Sequence, residues 1–254
     1  MDTPTTVTGF YIGLDLGQAA DYSALVVNER AQIIETGRTT VYHRIRWLHR
    51  YPLGTAYPAI VESVGRVLAQ LPEARDKPEL WIDQTGVGRG VSDIFRAAGM
   101  RPVCVSITGG TAVNRVVWDD IRVPKRELAS VTQAVLQTGR VTIAADLPFA
   151  RVLEDELSNF RVKITTTGNE TFEGRSGVHD DLVLALAIAL WAAEKRNAVA
   201  GASMLELAAR EMDAYHAANG GKPAPIPRTY APGSVEYAAQ QAALEAAKDS
   251  ENND

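Results

Sequence analysis

Three acidic positions stand in apolar or glycine-rich surroundings, far apart along the chain. They are Asp15 in Phe-Tyr-Ile-Gly-Leu-Asp-Leu-Gly, Asp83 in Leu-Trp-Ile-Asp-Gln-Thr-Gly-Val-Gly, and the pair Asp180 and Asp181 in Val-His-Asp-Asp-Leu-Val-Leu-Ala. Strands and helices that are otherwise hydrophobic seldom carry carboxylates, because a desolvated charge is unfavourable unless a metal or another partner compensates it. The pattern therefore points to a cation that joins the acids, and the chemistry to look for is that of a carboxylate-held metal.

The elements that must position these acids follow from hydrophobic periodicity. Phe10 to Leu16 reads as an apolar strand, a turn follows at Gly17 to Asp21, and Ser23 to Asn28 with Gln32 to Tyr42 continue as an antiparallel meander. Asp15 then falls near the end of the first strand. Ile60, Val61, Val64, Val67, Leu68 and Leu71 keep helical spacing over Tyr57 to Leu71, and a short strand, Glu79 to Ile82, leads into Asp83. A turn at Gly86 to Gly90 opens a helix over Val91 to Ala98, stopped by Gly99, and Arg101 to Ile107 is a further strand. Pro124 fits the first turn of a helix running to about Thr138, with a strand at Val141 to Ala144 and a helix at Phe149 to Asn159 after it. Phe160 to Arg175 reads as a β-hairpin around Thr167-Gly168-Asn169. The last helix of this region, Val178 to Lys195, is apolar nearly all round and must pack on the sheet. Asp180 and Asp181 lie in its first turn, where free N–H groups and the helix dipole favour negative charge, so capping explains them as well as metal ligation does.

Composition bounds the rest. With 254 residues, 46% of them hydrophobic, the chain can bury one substantial core. We read a domain over residues 1–199 and an Ala-rich, Pro-rich tail over 200–254, a docking element or a disordered segment. The single cysteine, Cys104, lies in an apolar run and cannot form an internal disulfide, which fits a reducing, cytoplasmic setting. The start of the chain lacks the features of a secretory signal. The longest apolar run, Leu182 to Ala193, is far shorter than the roughly 20 residues that cross a bilayer, so no membrane role is expected. The net charge of −5 does not exclude nucleic acid, because residues 200–254 hold 4 Lys and Arg against 8 Asp and Glu, leaving 22 against 23 before them.

Several further residues have a functional and a plain reading. Lys125 and Arg126 oppose the dipole in a helix's first turn, which suggests a phosphate partner, although Glu127 beside them fits a solvated surface. Arg161, Lys163 and Arg175 in the expected hairpin can guide DNA, or simply decorate it. His179 can approach phosphate, orient water or bind metal, or merely pack against the pair it precedes. Arg44, Arg46 and Arg50 interleave with His43, Trp47 and His49, as a backbone-tracking surface or as an exposed strand face with Ile45 and Trp47 tucked inward. Gly86-x-Gly88-x-Gly90 lacks dinucleotide-loop spacing, Gly109-Gly110 reads as a loop, and Asp119-Asp120 as a solvated acidic pair.

From about Phe10 to Ala193 the chain resembles the nuclease domain of phage large terminase subunits, a ribonuclease H-like group. The resemblance is carried by Gly-Leu-Asp-Leu-Gly with Asp21 following Asp15, Asp83-Gln-Thr-Gly-Val-Gly, Val-Pro-Lys-Arg-Glu-Leu with Leu-Gln-Thr-Gly-Arg, Asn-Phe-Arg-Val-Lys, and His-Asp-Asp-Leu-Val-Leu-Ala. It implies an α/β fold, a mixed five-stranded sheet flanked by helices, here with an added β-hairpin and a helical, Pro-rich tail. It also implies a metal-dependent endonuclease that cuts concatemeric double-stranded viral DNA during genome packaging. Two ions, Mg²⁺ or Mn²⁺, about 3.5 to 4 Å apart, suit phosphodiester hydrolysis by such a site. The resemblance assigns Asp15 as the bridging ligand, Asp83 to one ion and Asp181 to the other, with Asp180 competing or auxiliary. Asp21 is an outer ligand or a turn residue bonding its own backbone. No Gly-x-x-x-x-Gly-Lys-Ser/Thr loop occurs, so the chain is expected to lack the motor, which is then a separate polypeptide unless this is an isolated domain. A motor ATPase, a small terminase subunit and a portal are the expected partners. Two other classes share features: a small actin-like-fold kinase, which also opens with Gly-x-Asp-x-Gly, and a non-catalytic packaging scaffold with vestigial acids.

Overall fold

The computed structural model describes residues 5–17, 21–35, 38–117, 119–166 and 179–195. Three long strands open the chain: β1 (Thr5–Asp15), β2 (Ser23–Glu35) and β3 (Arg38–Tyr51). Helix α1 (Tyr57–Gln70), strand β4 (Glu79–Asp83), helix α2 (Arg89–Ala97) and strand β5 (Val103–Thr108) follow. Next come β6 (Asn114–Val117), β7 (Asp120–Pro124), α3 (Lys125–Gln137), β8 (Val141–Ile143) and α4 (Ala150–Thr166). A last helix, α5, spans 181–195.

The strands form one eight-stranded sheet in the order β6-β7-β5-β4-β1-β2-β3-β8. At its centre, β3-β2-β1-β4-β5 has β2 antiparallel to both neighbours and β4 and β5 parallel to β1, which is the ribonuclease H-like arrangement. Two-residue periodicity divides the sheet's side chains between two cores. Phe10, Ile12 and Leu14 face α1 and α2, where they meet Ile60, Val64 and Phe95. On the other face, Ala24, Val26, Ile45 and Leu48 meet α3, α4 and α5 through Val135, Leu153, Leu186 and Leu190. The result is a three-layer α/β/α domain.

Four local expectations are corrected. Strand β2 runs on through Glu29 to Glu35 rather than ending at Asn28, because Glu29 and Arg30 are buried and partnered within the sheet. Glu29 pairs with Arg44, and Arg30 donates to Thr8 Oγ1 and to the Ala193 carbonyl. Phe160 to Arg175 does not begin as a hairpin: α4 continues to Thr166, since no Gly or Pro interrupts it and Leu153, Leu157 and Phe160 keep helical spacing. The second half of that expected hairpin, like the tail over 200–254, lies outside the described residues. Trp47 is 43% exposed, because the register between β2 and β3 shifts beside it. Asp119 and Asp120 are not a solvated pair: Asp119 accepts from Arg96, and buried Asp120 accepts from Gln84 on the far side of β5. The β6–β7 edge was not anticipated. Cys104 is free and buried, as its apolar setting implies. Among the described residues no helix is long and apolar enough to cross a membrane.

Candidate metal and nuclease site

Asp15 and Asp83 close their strands side by side. They are register partners in the parallel β1–β4 pair, so their side chains leave the same face of the sheet from strands about 4.8 Å apart. Gly13, two residues before Asp15, faces the same way, and a Cβ built there meets the Ala185 carbonyl oxygen at 2.0 Å. Only a glycine lets α5 settle this closely on β1, and that approach delivers the start of α5 to the strand ends. Trp81, the register partner of Gly13, completes the seat by meeting Trp191 edge to face at 5.9 Å.

Helix α5 is held at both ends. At its start the Asp180 carbonyl accepts the first helical bond from Leu184 N–H, and Glu156 of α4 accepts from Val183 N–H at 3.0 Å. At its far end Arg30 donates to the Ala193 carbonyl, and Glu194 is gripped by His43 and Arg140. Asp180 therefore stands just before the helix and Asp181 at its first residue, three positions later than the expected start at Val178, so only Asp181 lies in the first turn.

The electrostatics make the four carboxylates one group. Burial, then Asp83, Asp181 and Asp180, push the Asp15 carboxyl well above its usual range, and Lys125 opposes them. Burial likewise raises Asp83, against the hydrogen bond that its Oδ1 accepts from Thr85 N–H at 2.8 Å and against Lys125. Asp181 is raised by burial and opposed by Arg50 and His179, with Asp180 and Asp21 adding to the rise. Among the described residues no three His, Cys, Asp or Glu side chains are already gathered as a formed metal cluster. The donor set nevertheless fits hard divalent cations: the candidate donors are all carboxylate oxygens that repel one another and are relieved by positive charge, and three of the four, Asp15, Asp83 and Asp181, are buried.

Other expected residues divide. Lys125 belongs to the site, its Nζ 3.3 Å from Asp180 Oδ2. His179 stands beside it, its ring edge-on to Tyr22 at 4.8 Å and its Nδ1 3.9 Å from Asp181 Oδ2. Asp21 is exposed and lines a cleft of about 230 Å³ with Gly17, Ser23 and Tyr57, close enough to raise Asp181. Arg126 is turned to the Thr111 carbonyl at 2.8 Å. Arg161 and Lys163 lie on α4 with side chains outside the described set, and Arg175 is outside it altogether. Arg44 and Arg46 pair with Glu29, whereas Arg50 reaches into the site, hydrogen-bonds Glu156 and forms an ion pair with Asp181 at 3.3 Å. Glu156 was missed. Its signal was available, since it shares the buried face of α4 with Leu153 and Phe160, where an acid needs a partner.

The sheet order and its flanking helices define a ribonuclease H-like α/β domain, with acids at two adjacent strand ends and at the start of the helix crossing them. The chain is similar in sequence to terminase large subunits: it is 25% identical over 180 residues to those of Thermus phage G20c and Thermus virus P23-45. The match covers 71% of this chain and 31% of each relative, so the chain spans about a third of their length. Among solved structures, the Mn-soaked, inhibitor-bound human cytomegalovirus terminase nuclease domain aligns at TM-score 0.48 and 14% identity, over 76% of this chain and 86% of that one. The HK97 bacteriophage large terminase aligns at TM-score 0.43 and 12% identity, over 76% and 40%. No protein-family model matches the chain.

Proposed function

We propose that this chain is a divalent-metal-dependent endonuclease that cuts double-stranded DNA during viral genome packaging. The observation that carries the reading is the convergence of Asp15, Asp83 and Asp181, from two register-paired strand ends and one helix start, on one face of the sheet. Asp15 lies between the other two in this electrostatic group and suits the bridging role. Asp83 and Asp181 flank it, with Asp180 and Asp21 as outer acids.

When bound, two Mg²⁺ or Mn²⁺ ions supply Lewis acidity, making water a nucleophile near neutral pH and offsetting charge on the leaving 3′ oxygen. The chain's own residues do the positioning. Thr85 N–H aims Asp83, Gly13 admits α5, Glu156 fixes its first turn, and Lys125 offers a cation to a phosphate once Asp180 is otherwise engaged. A scaffold with vestigial acids has no need to keep four carboxylates in mutual repulsion, and the placement of the Asp180–Asp181 helix start against Asp15 favours the nuclease over a kinase of related sheet.

Sequence readout is not expected of the domain, because no recognition helix or zinc module is visible among the described residues. Specificity then comes from partners: a separate motor ATPase, a small terminase subunit and a portal, in the cytoplasm of a host cell. On this reading residues 1–199 form the nuclease domain, and 200–254 are a docking tail. The test is supercoiled plasmid incubated with the purified chain. Nicking and linearisation with Mn²⁺ or Mg²⁺, abolished by EDTA, are expected; cleavage that persists in EDTA, or none with either metal under conditions where the ion binds, contradicts an autonomous metal-dependent nuclease.

A further inference from the structure

Arg50 is placed among the acids without being one of them. Its side chain is 13% exposed, and its guanidinium is fixed from three directions. One Nη2 bonds Glu156 Oε1 and lies 3.3 Å from Asp181 Oδ2, while Cζ stands 4.8 Å from the centre of the Tyr22 ring. Glu156 uses its second oxygen to accept Val183 N–H, so one carboxylate braces both the guanidinium and the helix turn that carries Asp181. The spacing between Arg50 and Asp181 is therefore set by a shared support. Asp181 Oδ2 is buried and accepts no hydrogen bond among the described residues, so the charge of Arg50 at 3.3 Å compensates it as an ion pair, and His179 Nδ1 approaches the same oxygen at 3.9 Å.

We propose that Arg50, braced by Glu156, holds Asp181 Oδ2 and so makes Asp181 a one-oxygen ligand, setting a preference for small octahedral dications, Mg²⁺ or Mn²⁺, over Ca²⁺. The inference rests on the metal-site reading above and names the residue that tunes it. Ca²⁺ takes six to eight oxygens and readily accepts both oxygens of one carboxylate, whereas Mg²⁺ demands near-ideal octahedral geometry from fewer protein ligands. A carboxylate with one oxygen held by a guanidinium suits the second ion and starves the first. Arginine suits this place because its planar fork spans two carboxylates at once, which a lysine ammonium does less well.

The test is calorimetric titration of the full chain with Mn²⁺ and, separately, Ca²⁺. Wild type, Arg50→Met and Arg50→Lys are compared. Loss of the guanidinium charge changes the attraction for both dications alike, so the ratio of the two affinities reads ligand geometry rather than charge. The Mn²⁺-to-Ca²⁺ affinity ratio is expected to fall by about 10-fold or more in Arg50→Met, within the range over which groups supporting a ligand act, and by less in Arg50→Lys. Glu156→Gln keeps an acceptor for Val183 N–H and loosens only the brace. It is expected to shift the ratio the same way, and it carries the test if Arg50→Met does not fold. An unchanged ratio in the folded variants overturns the inference while leaving the metal site standing; failure of the wild-type chain to bind either ion overturns the metal-site reading and this inference with it.

Discussion

Replacing Gly13 by alanine is expected to destabilise the protein by about 3 kcal/mol or more and to abolish the site along with it. The added Cβ lies 2.0 Å from the Ala185 carbonyl oxygen and 3.0 Å from the Ala185 carbonyl carbon and the Ala189 nitrogen. All three are backbone atoms of α5, so no side-chain rotation relieves the overlap. Either β1 and α5 separate, opening the core around Leu186 and Leu190, or the helix slides and carries Asp181 away from Asp15. The urea midpoint at constant m-value measures the loss. Gly9, also on β1, is the control: there the nearest atom to an added Cβ, the Asp76 Cβ, is 3.4 Å away, and alanine is expected to be tolerated far better. Equal effects at the two glycines would mean that α5 is not seated on β1 as described.

Asp15→Asn is expected to act in opposite directions on stability and on function. The metal-free protein should become more stable at pH 8, by roughly 1 to 3 kcal/mol, because the buried negative charge and its repulsion with Asp83 and Asp181 are removed. Plasmid cleavage should fall by about 10³-fold or more, since several kcal/mol of metal-derived stabilisation go with the ligand. The pH dependence follows from the direction of the shift. A carboxyl whose folded value is raised binds more protons in the folded state, so its contribution to stability is fully present below the ordinary carboxylate value and is lost as pH rises through the folded one. Asp83 and Asp181 are shifted the same way, and Glu156, pushed up to about 7 by burial, extends the window toward neutrality. His43, His49 and Glu194, shifted down, act in the opposite sense, so the effect is read as a difference: without metal, the stability of Asp15→Asn relative to wild type should increase from pH 4 toward pH 8. Thermal melts of both proteins across that range with EDTA present measure it, and a difference that stays constant or shrinks with rising pH would contradict the electrostatic account.

The sequence made the acids legible because each interrupts an apolar element, and the sheet legible because β1 carries the apolar run from Phe10 to Leu14 while β4 and β5 are short apolar runs each entered from a proline, Pro78 and Pro102. What it concealed has one physical origin, polar groups whose partners are distant in the chain. Glu29 and Arg30 looked like a turn until Arg44 and the end of α5 supplied their partners. Arg50 looked like one more surface cation on a basic strand, and nothing local showed that Glu156, 106 residues away, would hold it inside. Gly13 carried a readable signal, a glycine inside a strand, which marks close approach by another backbone. The β6–β7 edge is built from only four and five residues and gives too short a pattern to read.

The central claim is that Asp15, Asp83 and Asp181 together hold the ions that cut DNA. Anomalous diffraction at the manganese edge from crystals soaked in Mn²⁺ tests it most directly. The account predicts two peaks about 3.5 to 4 Å apart, with Asp15 bridging them, Asp83 on one and Asp181 on the other. Manganese bound elsewhere, with no peak within ligand distance of Asp15 in a preparation that still cleaves DNA, would contradict it.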